Sequence, residues 1–411
     1  TFDGAVVVEA FDEACAAVCP AEYTNIEVQP SAIEGAEEMA ARPWLESIEG
    51  KTNLPDGLST VQAFQCFGPQ GIDGCGFESH LESMWKSLRR SSDQNEDEYG
   101  FIRSNAILSI VHVTDEADCS YNTTFDTIFL PEGNRVFWSD ATTASPTSAV
   151  CWNAGVACDG SDCKPVNLDV DGNEVSEADA ESKAVLRPLE RYTDIVQELE
   201  NNKQIITPDQ EVLVALIGGV NSDGSVTYQP SLMDPQFQSD FGIGPGCESG
   251  AGRAVPPVRM RSFTEAFKVG DQRQMFSVCD ADYSPALEAI AEAIADQVKP
   301  ACMPACVADS DPTTPEVLNP QCTLIQEAPR GDGSFEETNI PPCEGDVVPE
   351  GDNVCYQALV DDAMDDYCID QGFNLQFQLV RREGFPAPGG TSVNATCQLS
   401  QNKRIDCPNL P

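Results

Sequence analysis

Histidine is almost missing from this sequence: His80 and His112 are the only two among 411 residues. That scarcity excludes most zinc, haem and histidine-assisted nucleophilic chemistry. No Gly-x-Ser-x-Gly elbow, His-Glu-x-x-His pair or phosphate-cradling Gly-rich loop occurs, so serine hydrolase, zinc protease and kinase readings lack their essential parts. Positive charge is scarce as well. Twenty-three Lys and Arg face 68 Asp and Glu, a formal charge of −45, and such a field repels nucleic acid and anionic membranes. There is no apolar run long enough to cross a bilayer, no tandem repeat and no coiled-coil heptad.

Cysteine is what the chain has in quantity. Eighteen of them, in a chain that begins at Thr1 without an initiator Met, point to a processed product of an oxidising compartment, extracellular or at the cell surface. The close pairs Cys15/Cys19, Cys158/Cys163 and Cys302/Cys306 have no second two-residue-spaced pair and no following His. A disulfide framework therefore explains them better than metal or haem attachment, although spacing leaves the connectivity open. Solubility in a salty medium accounts for most of the acid excess; bound divalent cations or basic partners would neutralise the rest.

Short, nearly continuous apolar runs recur at Ala5–Val8, Ile107–Val113 and Val212–Val220, and read as strands buried on both faces. Amphipathic stretches lie between or after them: Ser59–Phe67, Phe77–Leu88, Leu189–Leu199, Met260–Phe267 and Ser284–Val298. This alternation predicts a mostly parallel sheet wrapped by helices. In the last stretch Ser284 suits an N-cap, Pro285 the first helical position, and Leu287, Ile290, Ile294 and Val298 recur at helical spacing. Beyond it Pro, Cys, Gly and acidic residues dominate from Pro300 to Asn353, and a strand pattern returns at Asn374–Val380. Two long insertions, Thr123–Val166 and Asn221–Pro257, are of the length that makes functional surfaces or packed excursions.

Three segments carry candidate chemistry. In Leu108–Ser120 a buried strand runs straight into Thr114, Asp115, Glu116 and Asp118, at the strand end where ligands bind in parallel α/β sheets and where oxygens from several loops can converge on a hard cation. In Asn167–Asp179, Asn167, Asp169, Asp171 and Asn173 alternate around Gly172, with Glu177 or Asp179 placed to close a calcium shell, although the twelfth position is Ala178. A solvated acidic turn is the competing reading. Asp280 and Asp282, just before the long helix, suit its macrodipole as caps. Asn122-Thr123-Thr124 and Asn394-Ala395-Thr396 match the glycosylation acceptor pattern, which chance also produces.

Several of these runs resemble secreted von Willebrand factor type A-like proteins of myxobacteria and related bacteria. They are Gly74–Met84, Phe101–Ser120, Leu186–Leu199, Val212–Gly219, Arg259–Phe267 and Val278–Ala291, in that order, over roughly residues 55–300. The resemblance implies a doubly wound sheet with helices on both faces, and a metal-dependent adhesion site whose aspartate after the fourth strand corresponds to Asp115. The Asp-x-Ser-x-Ser signature that follows the first strand in that family is absent here; after Ala5–Val8 comes Glu9-Ala10-Phe11-Asp12-Glu13. Since a sheet without its central strand exposes two unpaired edges, either Ala5–Val8 supplies that strand or another chain does.

The sequence thus predicts an α/β fold: a doubly wound, mostly parallel domain over residues 1–300 with long insertions, then a Cys-rich, loop-rich β cap over 301–411. The function expected is non-enzymatic extracellular adhesion or interaction. Asp115, Glu116 and Asp118 form one candidate site, and Asn167, Asp169, Asp171, Asn173 and Glu177 another. Calcium or magnesium is the only cofactor suggested, with no organic cofactor, and the partners are other proteins or copies of this chain. A self-assembling subunit of a filament or surface coat is the alternative, and a secreted hydrolase working through carboxylates a weaker one.

Overall fold

A computed structural model describes residues 43–48, 51–68, 76–103, 106–207, 210–250, 252–298, 300–311, 313, 318–329, 335–382, 384–385, 387 and 391–410. The predicted strand Ala5–Val8 lies outside the described residues. The fold is mixed α/β and divides into two compact units, Asp73–Val298 and the remainder, Thr1–Ile72 with Lys299–Pro411.

In the remainder, the piece before Asp73 contributes a short hairpin, β1 (Ser47–Ile48) and β2 (Lys51–Thr52), and helix α1 (Thr60–Phe67). Ser59 and Gln62 close the N-terminus of α1 as a reciprocal capping box, satisfying two otherwise orphaned N–H groups.

The Asp73–Val298 unit is built on helix α2 (His80–Ser92) and strand β3 (Ser109–Val113). Then come α3 (Ala149–Gly155), the hairpin β4 (Val156–Asp159) and β5 (Asp162–Pro165), α4 (Glu177–Lys183) and α5 (Glu190–Ile206). Strand β6 (Leu213–Gly218), α6 (Pro235–Phe241), the hairpin β7 (Cys247–Ser249) and β8 (Gly252–Ala254), α7 (Val258–Ala266), β9 (Met275–Ser277) and α8 (Ser284–Asp296) complete it. β3, β6 and β9 form a three-stranded parallel sheet with β6 in the middle. All six residues of β6 are buried, as its unbroken apolar sequence requires for a strand covered on both sides.

Side chains alternate across this sheet. One face presents Ile110 and His112 opposite Val214 and Leu216, and Ile110, Val214 and Leu216 join Leu81 and Leu88 of α2, Tyr192 and Val196 of α5, and Met260 and Phe263 of α7 in the main core. The other face presents Val111 and Val113 opposite Ala215 and Ile217. There Ile217 and Phe276 pack against Ala286, Ala289 and Ile290 of α8. Ser284 is the first residue of α8 rather than its cap; Tyr283 holds the N-cap position, and Asp282 just before it accepts the Ser284 N–H at 2.9 Å.

Both long insertions are packed excursions with cores of their own. The first buries Ile128, Phe137, Trp138 and Val150 together with Val185 and Leu186; the second gathers Trp152, Tyr228, Phe237, Ile243 and Val255. Where the second leaves β6, backbones cross so closely that a Cβ on Gly219 would stand 2.1 Å from the Val255 carbonyl oxygen, and only glycine fits.

In the remainder, the part after Val298 is antiparallel. It comprises β10 (Ala301–Cys302), β11 (Cys322–Pro329), β12 (Phe335–Ile340), β13 (Val354–Leu359), α9 (Asp366–Asp370), β14 (Gln376–Arg381), β15 (Ser392–Cys397) and α10 (Lys403–Asp406). Two three-stranded sheets, ordered β10-β14-β13 and β12-β11-β15, enclose a small core of Val307, Leu324, Ile340, Val354, Leu375 and Phe377. Four disulfides staple them: Cys302–Cys368, Cys306–Cys407, Cys322–Cys397 and Cys343–Cys355. Cys119–Cys151, Cys158–Cys163 and Cys247–Cys279 do the same in the parallel unit. Seven bridges among the described residues fit an oxidising environment. No helix among the described residues is long and apolar enough to cross a membrane.

Candidate functional site

Strand β3 delivers Thr114, Asp115, Glu116 and Asp118 to one end of the parallel sheet, and the N-terminus of α2 meets them there. Thr114 extends the β3 ladder, its N–H donating to the Ile217 carbonyl at 3.0 Å. Its hydroxyl receives the Glu116 N–H at 3.0 Å and donates to Glu78 at 3.3 Å. Glu78 in turn holds His80, with 2.7 Å between Oε2 and Nε2.

The sequence-predicted trio separates in function. Asp118 is buried and committed to structure: one oxygen accepts the Leu81 N–H at 3.1 Å and the Ser120 hydroxyl at 2.6 Å, and the other pairs with Arg259 Nε at 3.0 Å. It caps α2 from 37 residues away in sequence, a negative charge where the helix dipole favours one. Arg259 is held on its far side by the Arg187 carbonyl at 2.7 Å. Asp115 is exposed and anchors only through its backbone carbonyl, which accepts the Val255 N–H at 2.7 Å. Glu116 is half-buried between them.

The cluster is electrostatically tuned. Burial pushes the Glu116 carboxyl up to about 6, with the negative charges of Glu78 and Asp115 acting in the same direction and a hydrogen bond with Ser148 against it. For His80, burial opposes protonation, but the bond to Glu78 and the fields of Asp118 and Glu116 outweigh it and raise its pKa. The Glu78 carboxyl is held below its usual value, first by the hydrogen bond with His80. Burial and the nearby His80 push His112 down to about 4; it stays neutral, with neither ring nitrogen hydrogen-bonded, edge-on to Phe263 at 5.7 Å.

Chemically, the site presents carboxylates and a protonatable Glu116 at the mouth of a strand end. His80 Nε2 is engaged by Glu78, and its Nδ1 is buried without a partner. Nor do the residues present suit the metal-dependent adhesion site that the resemblance implies. Asp118 is neutralised by Arg259, and among the described residues no three His, Cys, Asp or Glu side chains gather closely enough to hold a metal ion.

The second candidate loop closes on itself. Asp169 accepts the N–H groups of Asp171 and Asn173, each at 2.9 Å, and the Asn173 side-chain amide at 3.2 Å. These bonds hold its carboxyl below the usual range, those from Asn173 foremost. The Asn167 carbonyl accepts the Val175 N–H at 2.8 Å, and Asn134 bridges to Asp171 at 3.2 Å. Gly172 makes the turn at φ +82°, while Glu177 is exposed in the first turn of α4 and Asp179 pairs with Lys183 at 3.0 Å. Of the two acceptor motifs, Asn122 is buried, its amide donating to the Glu181 carbonyl at 3.3 Å, whereas Asn394 is exposed on β15.

Sequence reasoning missed Arg259, Glu78 and the clamp beside them, in which Glu82 binds Arg191 through two bonds of 3.0 and 3.1 Å and Arg191 stacks 3.6 Å over Trp85. The local signal was the run Glu78-Ser79-His80 at the start of the amphipathic stretch Phe77–Leu88. By fold and site this is a disulfide-linked α/β protein with an acidic strand-end cluster. Its sequence matches no protein-family model, no curated protein and no solved structure.

Proposed function

We propose that this chain is a non-enzymatic extracellular interaction protein whose parallel unit is a doubly wound domain of the von Willebrand type A-like kind, binding basic groups of a partner at the carboxyl end of β3. The observation that carries this reading is the strand-end cluster itself, where Glu78, Asp115 and Glu116 lie within a chain of net charge −45. Carboxylates at such a crevice attract Lys and Arg at short range and steer a basic partner from further away. In this reading the buried Asp118–Arg259 pair holds the crevice in shape, and Asp115 and Glu116 make the contacts.

Calorimetric titration of the purified protein with oligolysine, with calcium and with magnesium tests it. Oligolysine binding that weakens in Asp115→Asn and Glu116→Gln supports the proposal, and unchanged binding in both variants would sink it. Loss of binding with chelator would place a cation at the contact. Turnover on a panel of polysaccharides and peptides would instead favour the hydrolase.

A further inference from the structure

Among the described residues, apolar side chains stand exposed on one face of β3 and on the flank of α8. A parallel strand is normally covered on both faces and paired on both edges. β3 is neither: among the described residues it has β6 on one side and no strand on the other. Its side chains on the α8 face, Val111 and Val113, are 40 % and 62 % exposed. These stand in register with Ala215 and Ile217, and Ile217 is where α8 packs. On α8 itself, Leu287 is 55 % exposed, Ala291 is exposed one turn on, and Val298 just past its end is 67 % exposed.

Charge decides what covers this strip. Asp115 and Glu116 follow β3 at its exposed end, and Glu288, Glu292 and Asp296 are exposed on α8. A second copy of this chain would bring a net charge of −45 against −45. We propose that the open edge and bare face of β3 dock an apolar β-strand of a basic partner protein, which adds to the sheet through backbone hydrogen bonds, covers Val111 and Val113, and sets Lys or Arg against the acidic end. This surface shares Asp115 and Glu116 with the strand-end contacts proposed above and to that extent rests on that reading; the apolar strand that covers Val111 and Val113 is the new element.

The test uses two labelled heptapeptides, five valines flanked by lysines or by glutamates, titrated into the full-length protein and followed by fluorescence anisotropy. The lysine-flanked peptide is expected to bind and the glutamate-flanked one to bind more weakly. The double variant Val111→Thr/Val113→Thr keeps β-branched shape, and is expected to weaken binding about tenfold, the effect of one interface hot spot. Val113→Thr alone, at the more exposed position, serves if the double variant melts early. Equal binding by variant and parent, or a preference for the glutamate-flanked peptide, would overturn the proposal. So would a native dimer that Val111→Lys dissociates, because it would assign the face to a second copy, and so would peptide binding that appears only in the full-length variant Val7→Asp, because it would assign the edge to the chain's own Ala5–Val8. Oligolysine without valines should bind both proteins alike, so failure here leaves the strand-end reading standing, and the reverse.

Discussion

The parallel unit and the region after Val298 reach stability by different routes. In the first, Leu81, Tyr192, Leu216, Met260 and Phe263 are wholly buried around one sheet, and two further clusters fill the insertions. In the second, six buried apolar residues among those described form the core of two small sheets, and four disulfides span 12 to 101 residues of sequence. Where apolar area is short, loop closure substitutes for it by removing entropy from the unfolded chain. The parallel unit combines its core with staples near the candidate site, since Cys119 follows β3 and Cys279 follows β9, each joined to a distant cysteine.

This contrast can be broken at defined points. Opening Cys306–Cys407 with a double Ser substitution releases a bridge across 101 residues, and should cost about 4.7 kcal/mol in denaturant titrations. Opening Cys158–Cys163, separated by five residues, should cost about 2 kcal/mol on the same loop-entropy basis; equal losses would refute the entropic account. In the parallel unit, Asp118→Asn leaves Arg259 buried without its counter-charge, and should cost about 3–5 kcal/mol. A loss under about 1 kcal/mol would mean that Asp118 is not the anchor of α2.

Two pH effects of opposite sign sharpen the picture further. His112 takes up its proton near pH 6.5 when unfolded but only at about 4 when folded. Stability therefore falls as pH drops through that window, by up to about 3 kcal/mol. His112→Leu should abolish this acid sensitivity. Glu116 runs the other way, because the folded chain keeps the proton up to about pH 6 while the unfolded chain releases it near 4.5. Its contribution is lost as pH rises through that window, by at most about 2 kcal/mol, and Glu116→Gln should remove it. Melting curves of both variants between pH 4 and 7 separate the two; parallel profiles would contradict the assignment.

Much of the scaffold was legible because its signals are local. The run Val212–Val220 contains β6, Leu189–Leu199 covers the N-cap and first turns of α5, and Ser284–Val298 contains α8, since apolar period and capping act within a few residues. The two insertions were visible by length and composition, but their hydrophobic cores were not. Trp138, Trp152 and Tyr228 each meet partners from distant segments, so no window of the chain contains the contact. Asp118 shows the same limit within the site. Next to Asp115 and Glu116 in sequence it reads as a ligand, yet Arg259, 141 residues away, occupies it.

By itself the sequence determined the chemistry available: an acidic, cysteine-rich chain with two histidines, an apolar strand running into carboxylates, and helices at regular spacing. Only the tertiary structure decided which cysteines join, which carboxylate is neutralised, which one holds its proton near pH 6, and which edge of the sheet has no partner strand among the described residues. The physical reason is one of range. Propensity and periodicity act along the chain, whereas burial, ion pairing and strand pairing depend on neighbours that folding alone brings together.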